Sequence, residues 1–255
     1  MTRQEPTILA LEGEVKMSNV DSIDCIAGPL RFDTPGNGFQ NYFDSTAKVL
    51  SHLPYAEIEE AANQLYQAYQ EERRVFLFGN GGSAALASHF ACDLGKGTAT
   101  AGNSEKRFRA LSLTDNTALI TAWANDTSYE HVFAEQLRNF IQCGDVAFAI
   151  SGSGSSPNVL LALQAAREAG SINIGLTGFK GGKMKELCDV CIVIPSDNMQ
   201  IIEDFHLSTA HALFTVVRHR ITNATVDKNA SSLQRTGLPA ARVALLPEAL
   251  KKRLP

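Results

Sequence analysis

The chain has 255 residues, 44% hydrophobic and 20% charged, the balance of a folded globular protein with enough apolar mass for one sizeable core. A formal net charge of −4 gives it no general attraction for nucleic acid or an anionic membrane. No apolar run approaches the ~20 residues that cross a bilayer, and Glu5, Glu12 and Glu14 surround only a very short apolar stretch, unlike a secretory leader, so a cytoplasmic protein is expected.

Residues 1–38 show weak periodicity and end in the breaker cluster Asp33-Thr34-Pro35-Gly36-Asn37-Gly38, which predicts a poorly ordered arm. Helical spacing begins at Phe39, where Tyr42, Phe43, Ala47 and Leu50 share a face. Beyond Pro54, the residues Ile58, Ala61, Ala62, Leu65 and Ala68 define a second helix. Val75-Phe76-Leu77-Phe78 is a short apolar run halted by Gly79-Asn80-Gly81-Gly82. Similar runs occur at Ala110–Leu113, Val146–Ile150, Ile172–Leu176 and Val190–Ile194. Helical segments are predicted between them, near 83–96, 116–140 (continuous or broken), 156–169 and 181–187, with a last helix over 200–220. Short apolar strands alternating with helices predict right-handed crossovers and a doubly wound, parallel α/β sheet buried on both faces. The domain is expected to span 39–225. In residues 226–255, Lys228, Arg235, Arg242, Lys251, Lys252 and Arg253 oppose only Asp227 and Glu248, a basic tail read as a solvated extension.

The five cysteines, an odd number placed mostly in apolar segments, predict buried reduced thiols. Cys188 and Cys191 form C-x-x-C without a second pair, and read as small residues at the start of a strand.

Two turns carry the signal for a ligand. In Gly79-Asn80-Gly81-Gly82-Ser83, glycines let a ligand approach the backbone, and the N–H groups opening the next helix face an anion. Asn80, Gly81 and Ser83 are therefore candidate ligand contacts. The spacing is neither a Walker A loop nor a dinucleotide fingerprint. The second turn, Ser151-Gly152-Ser153-Gly154-Ser155-Ser156-Pro157-Asn158, gathers four hydroxyls ahead of a helix whose first turn holds Pro157. Hydroxyls and amides without a lysine suit a phosphomonoester on a small molecule, and the two turns together predict one phosphate-bearing ligand beyond the sheet edge.

His89 and Asp93 are spaced i, i+4 on the helix that follows Ser83. On the last helix, Glu203 and His211 stand eight apart, a little over two turns, with His206 at i+3 from Glu203. Imidazoles and carboxylates drawn from two helices suit either a divalent metal such as zinc or general acid–base catalysis.

The runs FGNGGSAALASHFACDL (78–94), LSLTDNTALITAWANDTSYEHVF (111–133), ISGSGSSPNV (150–159), GLTGFKGGKM (175–184) and IIEDFHLSTAH (201–211) resemble, in order, the SIS-domain phosphoheptose isomerases over about 40–220. The resemblance implies a flavodoxin-like sheet of five parallel strands, a homotetramer, and isomerisation of sedoheptulose 7-phosphate to an aldoheptose 7-phosphate through an enediol. It also implies that Ser151, Ser153 and Ser156 hold the phosphate, that Ser83 lines the site and that Asp126 contacts the sugar. His89 and His211 match a pair that in several members binds zinc with two further side chains, here Asp93 and Glu203. The chain departs from the family in carrying Asp93 for Glu, Glu203 for Gln, and Ser151-Gly152-Ser153 for Ser-Thr-Ser. The family Glu is the usual base, so Asp93 and Glu203 are both candidates for that role, with His211 as acid or zinc ligand. Two alternatives stand beside this reading: a non-catalytic regulatory protein that binds a sugar phosphate, and an isomerase of a different ketose phosphate.

Overall fold

The computed structural model describes residues 37–99 and 106–235, with side chains described through residue 225. Residues 1–36 of the arm expected over 1–38, with Cys25, and residues 236–255 of the tail expected over 226–255 lie outside the described residues. Two helices, α1 (Gly38–Leu50) and α2 (Tyr55–Gln70), lead into β1 (Arg74–Gly79), α3 (Gly82–Cys92), β2 (Arg109–Ser112) and α4 (Thr117–Asp126). They are followed by α5 (Ala134–Arg138), β3 (Val146–Ser151), α6 (Pro157–Glu168), β4 (Ile172–Thr177), α7 (Met184–Leu187), β5 (Val190–Val193) and α8 (Met199–Arg235). The strands pair in the order β2-β1-β3-β4-β5, every pairing parallel. This is the flavodoxin-like doubly wound arrangement, whose order reverses between β1 and β3, where such sheets bind ligands.

Each central strand feeds two cores because its side chains alternate. Val75 and Leu77 of β1, with Val146, Phe148 and Ile150 of β3, join α2, α3 and α8. Phe76 and Phe78, with Ala147 and Ala149, face α5 and α6 on the other side. The unbroken apolar runs in the sequence are therefore two interleaved faces. Phe90 packs edge-on to Phe148 with centroids 5.3 Å apart, holding α3 to β3.

Local breaks settle what the periodicity left open at 116–140 and differ from it elsewhere. The 116–140 stretch divides into α4, a 3₁₀ turn at Tyr129–His131, and α5, with Thr127 leaving helical geometry at φ −127°, ψ −94°. The helix expected to 96 gives way after Cys92 to a π-helical turn, Asp93–Gly97. Only Met184–Leu187 of the 181–187 segment is helical, because Gly181 (φ +88°) and Gly182 (φ +54°) form a turn pressed on the Ser-rich loop. A Cβ on Gly182 would lie 2.5 Å from the Gly154 carbonyl oxygen, so two backbones meet there with no room for a side chain. The last helix continues past 220 to Arg235. Among the described cysteines, all free, Cys92 and Cys143 are exposed and not buried as expected, because Cys92 ends α3 and Cys143 sits in the turn ahead of β3, while Cys191 in β5 and Cys188 just ahead of it are half-buried.

Candidate active site

The two turns singled out in the sequence lie side by side. Gly79 pairs with Ile150 at the carboxyl ends of β1 and β3, so the Gly-rich turn and the Ser-rich turn leave the sheet together. A reciprocal amide pair ties them. Asn80 Nδ2 donates to Asn158 Oδ1 and Asn158 Nδ2 donates to Asn80 Oδ1, each at 2.8 Å. The Tyr129 hydroxyl donates to Asn80 Oδ1 as well, at 3.0 Å. Asn80 thus holds the two turns in register, and its amide is already engaged by protein partners.

Gly81 precedes α3 with φ +55°, a left-handed conformation suited to glycine, and nothing lies within 4 Å of the space a Cβ would take. The first residue of α3, Gly82, is covered from the other side by Glu203: a Cβ there would lie 3.2 Å from Glu203 Oε2 and 3.3 Å from Oε1. The Glu203 carboxylate therefore stands over the positive end of the α3 dipole. Ser83 is buried in the same turn.

One turn short of the end of α3, His89 meets α8. Its Nε2 lies 2.8 Å from His211 Nε2. Asp93 Oδ2 is 3.5 Å from His89 Nε2 and 4.0 Å from His211 Nε2. The ligand atoms of His89, Asp93 and His211 all lie within 4.8 Å of one another. Two imidazoles and a carboxylate from two helices fit a catalytic zinc, which takes three protein ligands and keeps a position open. Glu203, the fourth candidate ligand in the sequence, is not part of this cluster. It shares with His89 of the cluster a cleft of about 310 Å³ lined also by Ser83, Leu86, His206 and Leu207, among others.

His206 lines the same cleft as Glu203, as the sequence reading allowed, but lies deep in it. It is 1% exposed on the sheet side of α8, beside Ile202, Phe205 and Ala210. Among the described residues, neither ring nitrogen meets hydrogen-bond geometry with a partner, nor does the Thr209 hydroxyl beside it. Burial pushes its pKa down to about 4, against a weak opposing pull from the Thr177 backbone. Asp204, next to Glu203, accepts a 2.5 Å bond from Tyr42 Oη, which ties α1 to the rim of the cleft. Burial and this carboxylate raise the Tyr42 pKa to about 12. Nothing in the sequence marks Tyr42 or Asp204 as rim residues of the cleft, since only the fold brings α1 onto α8.

The Ser-rich turn presents Ser151 Oγ and Ser156 Oγ 3.3 Å apart, while Ser153 Oγ accepts from Ser155 N at 3.3 Å. These hydroxyls surround the amino end of α6, a 12-residue helix opened by Pro157. They lie next to the cleft but do not line it. Asp126 ends α4, exposed, with its carboxylate accepting from Asn125 Nδ2 at 2.8 Å, and it too is absent from the cleft lining.

Against known proteins, residues 41–178 match the profile of the SIS domain family. The phosphoheptose isomerase of Bradyrhizobium sp. (strain ORS 278) is 41% identical over 158 residues, covering 62% of this chain and 78% of the relative. That of Helicobacter hepaticus is 36% identical over 179 residues, 70% of this chain and 89% of the relative. Among solved structures, phosphoheptose isomerase from Neisseria gonorrhoeae superposes with a TM-score of 0.66 at 30% identity, over 72% of this chain and 98% of that one.

Proposed function

The chain belongs to the SIS domain family, among its phosphoheptose isomerases, and from that membership we propose the chemistry of its site: interconversion of sedoheptulose 7-phosphate and D-glycero-D-manno-heptose 7-phosphate by proton transfer between C1 and C2 through an enediol. The observation that carries the residue roles is the placing of Glu203 and His89 in one cleft, with His211 paired to His89 at 2.8 Å, beside a hydroxyl-rich turn. The phosphate sits on Ser151, Ser153 and Ser156 at the amino end of α6, with Ser83 and the backbone around Gly81 closing the site from α3. Asp126 contacts the sugar only if α4 or a second subunit brings it there.

Glu203 is the base. Of the two candidate carboxylates, Asp93 is engaged with the imidazole pair, whereas Glu203 stands apart over Gly82 with both oxygens directed at the turn. It takes the proton from the carbon next to the carbonyl and returns it to the neighbouring carbon. His211 is the acid: at 2.8 Å one imidazole of the pair donates to the other, so a proton is held at the Nε2 atoms for delivery to the carbonyl oxygen as charge builds there. Alternatively, the His89 and His211 rings with Asp93 would hold zinc, and His211 is then a metal ligand in place of the acid. When bound, zinc supplies Lewis-acid polarisation of that carbonyl.

The active form proposed is a homotetramer. Phe39, Phe43 and Leu50 of α1 are 85%, 65% and 53% exposed, and α4 buries none of its ten residues, so both helices offer surface to a second copy. A cytoplasmic location belongs to the same proposal, because a phosphate dianion does not cross a bilayer unaided.

The test is an NMR assay of purified protein with sedoheptulose 7-phosphate, with and without zinc, on the wild type and Glu203→Gln. Aldoheptose 7-phosphate is expected from the wild type. Loss of a positioned general base lowers kcat by roughly 100-fold or more, with phosphate binding retained. Unchanged turnover in Glu203→Gln moves the base to Asp93. No turnover of any ketose phosphate by the wild type would favour a regulatory, non-catalytic sugar-phosphate binder.

A further inference from the structure

Gly152 lies between Ser151 and Ser153 in the Ser-rich turn, and its backbone is outside the left-handed region, so conformation does not require glycine there. Space does. A Cβ at 152 would lie 2.5 Å from Met199 Sδ and 3.3 Å from Met199 Cε, with Ile202 Cγ2 next at 3.9 Å. Met199 therefore occupies the place of a side chain at 152. It is only half-buried, whereas Ile202 behind it is fully buried, so the thioether forms the surface layer.

Met199 opens α8 one turn ahead of Glu203, and residues four apart share a helix side, about 6 Å apart along the axis. Along α8, Met199 thus stands over the Ser-rich turn, Glu203 over Gly82, and His211 beside His89. A ligand with its phosphate on the serine hydroxyls and its reacting carbons at Glu203 must pass Met199.

We propose that Met199 is the specificity-determining residue of this site, an apolar wall against the ligand carbons next to the phosphoester that sets which ketose phosphate fits between the Ser-rich turn and Glu203. The inference rests on the phosphosugar isomerase reading and names the part of the site that sorts substrates. A thioether offers dispersion contact and no proton to donate, so it sorts ligands by chain shape and by whether a hydroxyl is left against it without a donor.

The test is a cycle of wild type, Met199→Ala, Gly152→Ala and the double variant, with five-, six- and seven-carbon ketose phosphates. One methylene in a pocket discriminates by roughly 10-fold or more. Met199→Ala is therefore expected to change the seven- to five-carbon ratio of kcat/KM by about that factor, with a smaller change in kcat for the best substrate. Gly152→Ala displaces Met199 and raises KM, and adding Met199→Ala restores it. A ratio constant within about twofold of wild type, or a double variant as impaired as Gly152→Ala alone, overturns the proposal. The same ratio is read from ligand dissociation constants by thermal shift, with inorganic phosphate as the control that the turn is folded. A wild type that binds but turns over nothing overturns the isomerase reading, and the binding ratio still decides for or against Met199.

Discussion

At the scale of single residues, His206 is a titratable ring buried at a cost to its charged form. A helix places residue 206 about 60° around the axis from residue 203, enough to sink the ring to the inner side of the cleft, where Ile202 and Ala210 are fully buried. The spacing in the sequence left this open because three residues along a helix is both "nearby" and "another face". With its pKa lowered from 6.5 to about 4, the folded state binds fewer protons than the unfolded state between those values. Stability therefore rises with pH across that window, is complete above 6.5, and falls as pH drops toward 4. The size is about 3 kcal/mol from the displacement of the pKa. His206→Gln should flatten the pH dependence of the urea midpoint between pH 4 and 6.5. A slope equal to wild type would show that the buried imidazole is not its source. The separation of Glu203 from the histidine cluster has a similar cause. Eight residues amount to about 80° of rotation and about 12 Å along the helix, too far for one set of metal ligands, although the pattern alone suggested a shared face.

At the scale of elements, what the sequence reveals best is the strand followed by a turn of small residues. β1, β3 and β4 were readable because each apolar run ends abruptly at Gly, Ser or Thr-Gly, and the alternation of strand and helix fixed a parallel sheet. The cross-links between turns were not readable. Asn80 and Asn158 are 78 positions apart, and nothing local marks them as partners. Their reciprocal pair, half-buried at the switch point of the sheet, gives the two anion-binding turns a fixed separation. Asn158→Leu removes both bonds and leaves the Asn80 amide with only Tyr129. At about 1 kcal/mol per bond the cost is about 2 kcal/mol of stability. The functional signature is more telling: inorganic phosphate should protect the variant from thermal unfolding less than it protects the wild type, and KM should rise more than kcat falls. A variant destabilised by that amount but with wild-type phosphate protection would reduce the pair to a structural tie. The π-helical turn at Asp93–Gly97 was hidden for another reason, since i→i+5 bonding leaves no periodicity over five residues.

At the scale of the whole molecule, the uneven covering of the apolar surface is the main physical anomaly. The sheet is closed on both sides by helices, yet α1 is held to the rest chiefly by buried Val49 and by the Tyr42–Asp204 bond. Of the face that helical spacing marked in the sequence, Tyr42, Phe43, Ala47 and Leu50, the monomer leaves Phe43 and Leu50 to solvent, together with Phe39. Burial of such residues contributes about 2 kcal/mol each, so a second copy covering them gains several kcal/mol from one helix alone. Because Tyr42 on the same helix donates to Asp204 beside Glu203, docking of α1 also steadies the rim of the cleft. Assembly and activity are then coupled through α1. Phe39→Glu with Phe43→Glu should shift the protein from tetramer to smaller species in sedimentation velocity, with the far-UV spectrum unchanged because neither side chain is buried in the monomer. Turnover should fall as the tetramer is lost and recover at high protein concentration, since mass action opposes dissociation. A double variant that sediments as wild type would mean that α1 is not the assembling face, and one that dissociates at full activity would separate the cleft from assembly.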